Sequence, residues 1–535
     1  MCRIFKKLIL LFALLIVSAV CSFATQGDGT LIISYDKLTG TQYDTLVVAK
    51  VGNITITAKE FLLSYEYGPA FIKKGSDSRQ RYLDFMIDEK LLTLDAYARH
   101  LEKADIVKAT LAEIEGDLAT EELYKEDVLS RVVVSEQEVS RSAEREKEHV
   151  TLKWLYAPTF DDIHQYQKQL RAGVAFDSLF TRQLCDSVAL EDRSMETTRF
   201  KLETKNATLS AVVDTLKVGA ASASIGTTDG WYIVKISNVW KNAIITESEE
   251  NKIRTNVSRA LFQRKADVLS DRYVQQLMRD HDPVIKRRTF DLLRAYLGKR
   301  IFPPEKYLKW NLTKKLMAEF GPIDSVKIED HLDDPLVKLT DGEIVLRDFM
   351  IWYQTRQPNI RFSKKTPQSF FVSLEQFIWR MVRDKLLVAT AKKRNFQNRD
   401  IVKIQKQWWL DKSVYSVAKS TLGQSIHLTE EDVHNYYDKN KIHYRQGNGI
   451  EPSWEEIKAD VTKDAYQDEF SKKLLHKILA LRKKYKIEIN QTVLGMLPID
   501  MENRPDAIDV YVVKKGGTFP RPAFPTIDYD WRTWY

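Results

Sequence analysis

Val150-Thr151-Leu152-Lys153-Trp154-Leu155-Tyr156 and Gly230-Trp231-Tyr232-Ile233-Val234-Lys235-Ile236 bracket the stretch whose reading decides the fold. The first alternates with a period of two and the second is a short apolar run, the two signatures of strands. Between them stand two glycine-marked turns, Gly173-Val174-Ala175-Phe176 and Leu216-Lys217-Val218-Gly219. Residues 148–236 therefore read as a small α+β unit set inside a much longer chain.

On either side of that unit the chain repeats itself. Val47-Val48-Ala49-Lys50-Val51-Gly52-Asn53-Ile54-Thr55-Ile56-Thr57 and Val337-Lys338-Leu339-Thr340-Asp341-Gly342-Glu343-Ile344-Val345-Leu346 both read as strand, tight turn, strand, then helix. Thr57 with Glu60 forms a capping box at the first helix start. Asp88-Glu89-Lys90-Leu91-Leu92 matches Arg383-Asp384-Lys385-Leu386-Leu387 at an offset of 295, with Met86 over Met381 and Ala96 over Ala391. Each copy then reaches a capped helix start, Ser135-Glu136-Gln137-Glu138 and Thr429-Glu430-Glu431-Asp432. A long helix follows each copy, over 246–283 and 453–490, and the second ends in the short strand Lys486-Ile487-Glu488-Ile489-Asn490. Both long helices are expected to close the copy they follow.

The chain has 535 residues, 44% of them hydrophobic and 11% aromatic, values of a globular protein of several domains. Arg3, Lys6 and Lys7 precede the apolar run Leu8 to Val20, and Ser22-Phe23-Ala24 supplies small residues for cleavage, so 1–24 reads as a secretory signal peptide. Loss of those three charges lowers +8 to about +5, spread over mixed-sign helices, which argues against a nucleic-acid partner. Cys21 opens a lipoprotein reading with peripheral membrane association, but Val20 stands where lipidation requires a small side chain. With Cys2 and Cys21 removed, Cys185 is alone and no internal disulfide forms. The expected address is the periplasm.

The layout resembles the SurA/PpiD/PrsA group of secreted folding factors, in which a helical chaperone domain carries inserted parvulin modules. The order of the pieces carries the resemblance: strand-turn-strand-helix, the Leu91-Leu92 helix, the capped helix at Ser135, the 148–236 unit and the closing helix. Parvulins open with a His-Ile-Leu strand, turn at Gly-x-x-Phe and close with a Gly-Tyr-His-Ile strand. Here the turn is Gly173 to Phe176, and the two histidine positions hold Trp154 and Tyr232. The family's Gly-Gly-Asp-Leu-Gly strand is replaced by Ser194-Met195-Glu196-Thr197-Thr198-Arg199-Phe200, without glycine.

The resemblance implies an α+β fold, a mainly helical duplicated SurA-type chaperone domain with one inserted parvulin-like domain. The expected division is a first helical repeat over 45–148, the parvulin-like domain over 149–240, its closing helix over 246–283 and a helical connector over 284–330. The second repeat follows over 335–443, then its closing helix and strand over 453–490 and a Pro/aromatic-rich tail over 496–535. Prolyl isomerases lower a rotation barrier of about 18–20 kcal/mol by holding the twisted imide in an apolar pocket with oriented polar groups. With both histidine positions changed, Trp154, Tyr232 and Cys185 mark degenerate catalytic positions, and the implied activity is not expected. Trp154, Phe176, Phe200, Trp231 and Tyr232 are the substrate-binding candidates. No histidine spacing fits a metal, and no cofactor is expected.

The function read from this is a periplasmic, ATP-independent holdase binding unfolded exported proteins, outer-membrane proteins among them. An active parvulin-type isomerase is the alternative. An envelope scaffold subunit that docks through its aromatic tail is a further one.

Overall fold

A computed structural model describes residues 35–73, 77–184, 188–227, 229–241, 246–307, 327–444, 452–499 and 517–530. A hairpin of β1 (Val47–Val51) and β2 (Ile54–Thr57) runs into helices α1 (Ala58–Tyr67), α2 (Ser78–Ala98) and α3 (Asp105–Asp127). Helix α4 (Glu136–Lys147) leads to β3 (Glu148–Ala157), α5 (Phe160–Arg171), α6 (Phe176–Gln183) and β4 (Ser194–Thr198). Next come α7 (Arg199–Lys205), α8 (Ala207–Thr215), β5 (Ile225–Thr227) and β6 (Gly230–Lys241). The long α9 (Glu247–His281), β7 (Val284–Ile285) and α10 (Arg287–Ile301) precede a second hairpin, β8 (Pro335–Leu339) and β9 (Gly342–Val345). Helices α11 (Leu346–Arg356), α12 (Pro367–Lys393), α13 (Asp400–Gln424), α14 (Glu430–Asn440) and α15 (Trp454–Lys484) end at β10 (Ile487–Ile489). The chain is a mainly helical α+β protein. Among the described residues its strands form three small antiparallel sheets. It divides into two units, one built on 125–273 and the other on 35–124 with 274–530.

In the second of these units the same element order occurs twice. Both hairpins carry a register irregularity at the same place, between Val47 and Ala49 and between Pro335 and Val337. His100 and Asn395, again 295 apart, both adopt the left-handed conformation between long helices, with φ of 57° and 60°. A one-residue left-handed step at a helix end is costly for ordinary side chains, so its recurrence marks the same turn built twice.

The closing elements are exchanged between the copies. β10 pairs antiparallel with β1, Ala49 opposite Ile489 and Val51 opposite Ile487, giving the sheet order β10-β1-β2. β7 pairs with β8, Val284 opposite Lys338, giving β7-β8-β9. The helix-strand segment 453–490, expected to close the second repeat, therefore closes the first. The end of 246–283, expected to close the first, closes the second. Side-chain packing gives the reason: Phe470, Leu474, Ile478 and Leu481 of α15 enter the core of β1, β2, α1 and α2. Arg482 and Lys477 add ion pairs to Asp88 (2.6 Å) and Asp95 (2.8 Å) of α2. Leu277 and Met278, at the end of α9, pack on the core of β8, β9, α11 and α12, which α10 completes through Phe290, Leu293 and Leu297.

The copies also cross-pack reciprocally. Helix α2 lies on α13, where the Lys90 ammonium bridges Glu60 (2.9 Å) and Asp411 (2.7 Å), all three buried. Helix α12 meets α3 at the equivalent point, where a side chain at Gly116 would fall 2.9 Å from the Val388 methyls. The Glu60 carboxylate is thus drawn to Lys90. The expected capping box is only half formed, with the Glu60 amide donating to Thr57 Oγ1 at 3.1 Å. Lys385, equivalent to Lys90, repeats the pairing with Asp348 at 2.8 Å.

The tail is tied into this unit. Arg521, buried, pairs with Asp117 at 2.8 Å and also with Glu121. Asp528 binds Lys412 (2.9 Å) and Lys419 (3.0 Å). Phe524 and Ile527 enter the core of the first copy. Residues 517–530 are thus packed on their own unit, not left free.

The other unit is a four-stranded sheet in the order β4-β3-β6-β5. Helices α5 and α6 cover one face through Ile163, Phe176, Leu179 and Phe180, and α7 and α8 cover the other through Leu202 and Val213. A strand does occupy the place of the missing glycine-rich segment, Ser194–Thr198, paired to β3 with His149 opposite Thr198.

Candidate functional site

Alternation along β3 and β6 decides which side chains can share a site, because successive residues point to opposite faces. Trp154 stands opposite Val234, and Tyr156 opposite Tyr232. Trp154 and Tyr232 therefore lie on one face, half-buried beside Leu152, Val213, Val234 and Ile236. Trp231 and Phe176 lie on the other face, with Leu155 and Ile233. Phe200 is in a third place, packed with Val139, Val257 and Leu261 between α4, α7 and α9. The five binding candidates thus do not form one pocket. Trp154 and Tyr232 share a surface, while Cys185 lies outside the described residues.

Around Tyr232 the structure adds a polar cluster that sequence reading missed. The Tyr232 hydroxyl donates to Asp229 Oδ2 at 2.5 Å, and Thr227 donates to Oδ1 of the same carboxylate at 2.5 Å. The Tyr156 hydroxyl donates to the Asp229 carbonyl at 2.7 Å, and the two tyrosine rings lie 5.2 Å apart. Gln183 clamps the Tyr156 backbone in both directions, accepting its N–H at 3.0 Å and donating to its C=O at 2.9 Å. Arg193 sits over the Tyr156 ring at 5.2 Å and accepts the Trp154 amide on its carbonyl. Gly230, at φ +146°, holds the turn: a Cβ there would come within 2.6 Å of the Tyr156 ring. The available signal was Asp229-Gly230 opening a strand opposite an alternating Trp154, Tyr156 pair.

Burial first, and the Asp229 carboxylate second, push the Tyr232 phenol well above the ordinary tyrosine value; Tyr156 is raised by the same two causes. Both hydroxyls stay protonated at neutral pH and serve as fixed donors to Asp229. The histidines of this unit are placed elsewhere. His149 stacks on Trp240 at 3.8 Å near the far end of the paired strands, and His164 stacks on Phe160 on the helix covering the opposite face. The face can offer an aromatic surface and a closed network of donors, but no imidazole to exchange a proton with a ligand. Among the described residues no cluster of three or more His, Cys, Asp or Glu side chains is placed to hold a metal ion.

A second aromatic surface lies at the other face. Phe160, 48% exposed, packs edge-on against Trp231 at 4.9 Å and stacks with His164.

No protein-family model matches the chain, and no curated protein matches it. Solved structures similar to it include the peptidylprolyl isomerase PrsA from Bacillus cereus, at 15% identity over 50% of this chain and 98% of that one, with a TM-score of 0.21. The foldase protein PrsA from Streptococcus pneumoniae is similar at 14% identity over 41% and 87%, TM-score 0.21. PrsA from Bacillus subtilis is similar at 16% over 42% and 91%, TM-score 0.16. Superpositions this loose carry no functional weight, which rests instead on the side chains described above.

Proposed function

We propose that the protein is an extracytoplasmic, ATP-independent folding chaperone. It would hold unfolded exported polypeptides, outer-membrane proteins among them, and its parvulin-like unit would bind chains without isomerising them. The observation that carries the reading is the Tyr232–Asp229–Tyr156 network on the face where the family resemblance places paired histidines. Both tyrosine hydroxyls are already satisfied by Asp229, so neither is poised to polarise an incoming imide.

Holding requires only weak, distributed apolar contact. Phe160, Trp240 and Phe262 in one unit, and Ile442, Leu475 and Leu479 in the other, are exposed and suit that purpose. The periplasmic address comes from the apolar Leu8 to Val20 run and belongs to the same proposal; residues 1–24 and Cys21 lie outside the described residues.

Two assays on the full chain test the reading. Stoichiometric protein should suppress aggregation of a urea-diluted outer-membrane protein without nucleotide, and failure to do so sinks the holdase. A protease-coupled proline-peptide assay should show no acceleration, and turnover at parvulin-like rates would replace the holdase with the active isomerase.

A further inference from the structure

The segment Gly517 to Asp530 crosses its unit without helix or strand, and the side chains around it read its main chain. Asp117 accepts the amides of Thr518 (2.6 Å) and Phe519 (3.0 Å). Arg356 donates to the Thr518 carbonyl at 2.6 Å, and Glu89 accepts the Asp528 amide at 2.8 Å. Such contacts do not depend on the identity of the bound residues. Between them the segment sets aromatic groups on apolar or cationic surfaces, Phe524 against Tyr67 at 5.3 Å and Phe519 under Arg356 at 5.0 Å. Pro520, Pro522 and Pro525 favour the extended form. A small cavity of about 40 Å³ beside Pro525–Ile527, lined by Met86, Trp408 and Tyr415, leaves the groove incompletely filled.

Main-chain hydrogen bonds combined with side-chain pockets are how proteins bind extended polypeptides. We infer that this groove is a binding site for extended client segments rich in proline and aromatic residues, occupied in cis by the protein's own residues 517–530. The inference rests on the chaperone reading above. Other contacts are specific to the tail's side chains, among them Arg521 on Asp117 and Glu121, Asp528 on Lys412, Lys419 and Tyr415, and Asp530 on Lys419. A tethered competitor acts at an effective concentration on the order of millimolar. Only clients attached at several points displace it, so the tail sets a threshold that excludes weak binders.

The experiment uses the full chain, wild type and the separate variants Arg521→Ala and Phe524→Ala. The probes are a fluorescent peptide of residues 517–530 and an unrelated Pro/aromatic peptide without Arg or Asp. A variant that keeps the wild-type circular dichroism should bind both peptides at least about tenfold more tightly than wild type. If folded variants bind neither peptide better, the segment is a permanent strap and the inference is overturned. If they bind only the tail peptide, the groove is a private latch, and the inference is equally overturned. Amide exchange on the wild-type protein decides the matter even if both variants unfold. Thr518, Phe519 and Asp528 should exchange faster when an unfolded outer-membrane protein is added, and unchanged exchange overturns the inference. Absence of aggregation suppression would remove the chaperone reading, while peptide binding to the variants would still report on the groove.

Discussion

Ala49, in the first strand of the described chain, pairs with Ile489, in the last. This register makes the first repeat dependent on a strand 440 residues further along the chain (489 − 49). The second repeat, closed by β7 on β8, is complete without that segment. The asymmetry allows the two hairpins to be loosened one at a time.

Asn490→Pro removes the Asn490 amide that donates to the Val48 carbonyl at 2.8 Å, and the side-chain cap on the Val493 amide at 3.1 Å. A ladder bond and a cap together are worth about 2–3 kcal/mol. Hydrogen exchange should accelerate at Val47–Val51 and remain slow at Pro335–Val345. Loosening of the second hairpin instead would show that β10 belongs there.

Lys90 is a buried cation at the crossing of α2 and α13, where Lys412 also pairs with Glu89 at 2.7 Å. Lys90→Met leaves Glu60 and Asp411 buried together without their cation and should cost about 3–5 kcal/mol in denaturant unfolding. The equivalent Lys385→Met removes a pair whose partners are each about one-third exposed, and should cost under about 1 kcal/mol. Equal losses at the two sites would contradict the burial difference. Replacing Glu60 and Asp411 by leucine beside Lys90→Met should recover most of the loss.

Burial alone would raise the Asp528 carboxyl, but the Lys412 and Lys419 ammonium groups outweigh it and hold Asp528 well below the usual carboxylate range. Its contribution is therefore complete above the unfolded value of about 3.9 and disappears as pH falls through the folded one. Asp528→Asn should lower Tm at pH 7, and the gap from wild type should close as pH drops below about 4. Glu89 and Asp530 share the same lysines, so the change should be gradual. A gap independent of pH would mean that Asp528 acts by shape and not by charge.

The repeat and the two strands that frame 148–236 were legible because both signals are local: an offset of 295 residues matched side chain by side chain, and strand runs flanked by glycine turns. The exchange of closing strands was not legible. Ile487–Ile489 is too short to distinguish two similar hairpins, and proximity in sequence favoured the second. The choice was made by α15, whose Phe470, Leu474 and Ile478 fit the first repeat's core. The division of the binding candidates between faces was hidden for a related reason: Trp231 and Tyr232 are neighbours in sequence, and in a strand neighbours point apart. Asp229 passed unnoticed because its role arises only when Tyr156 and Tyr232 are brought opposite one another.

Binding without catalysis at the Tyr232 face, as proposed above, is decided by cis–trans isomerisation of a proline peptide by the full chain, followed by protease coupling. The expected trace is indistinguishable from the uncatalysed one from pH 6 to 9, since Tyr156 and Tyr232 are both shifted upward and no imidazole faces them. Acceleration abolished by Tyr232→Phe would contradict the claim and make that hydroxyl part of an active site.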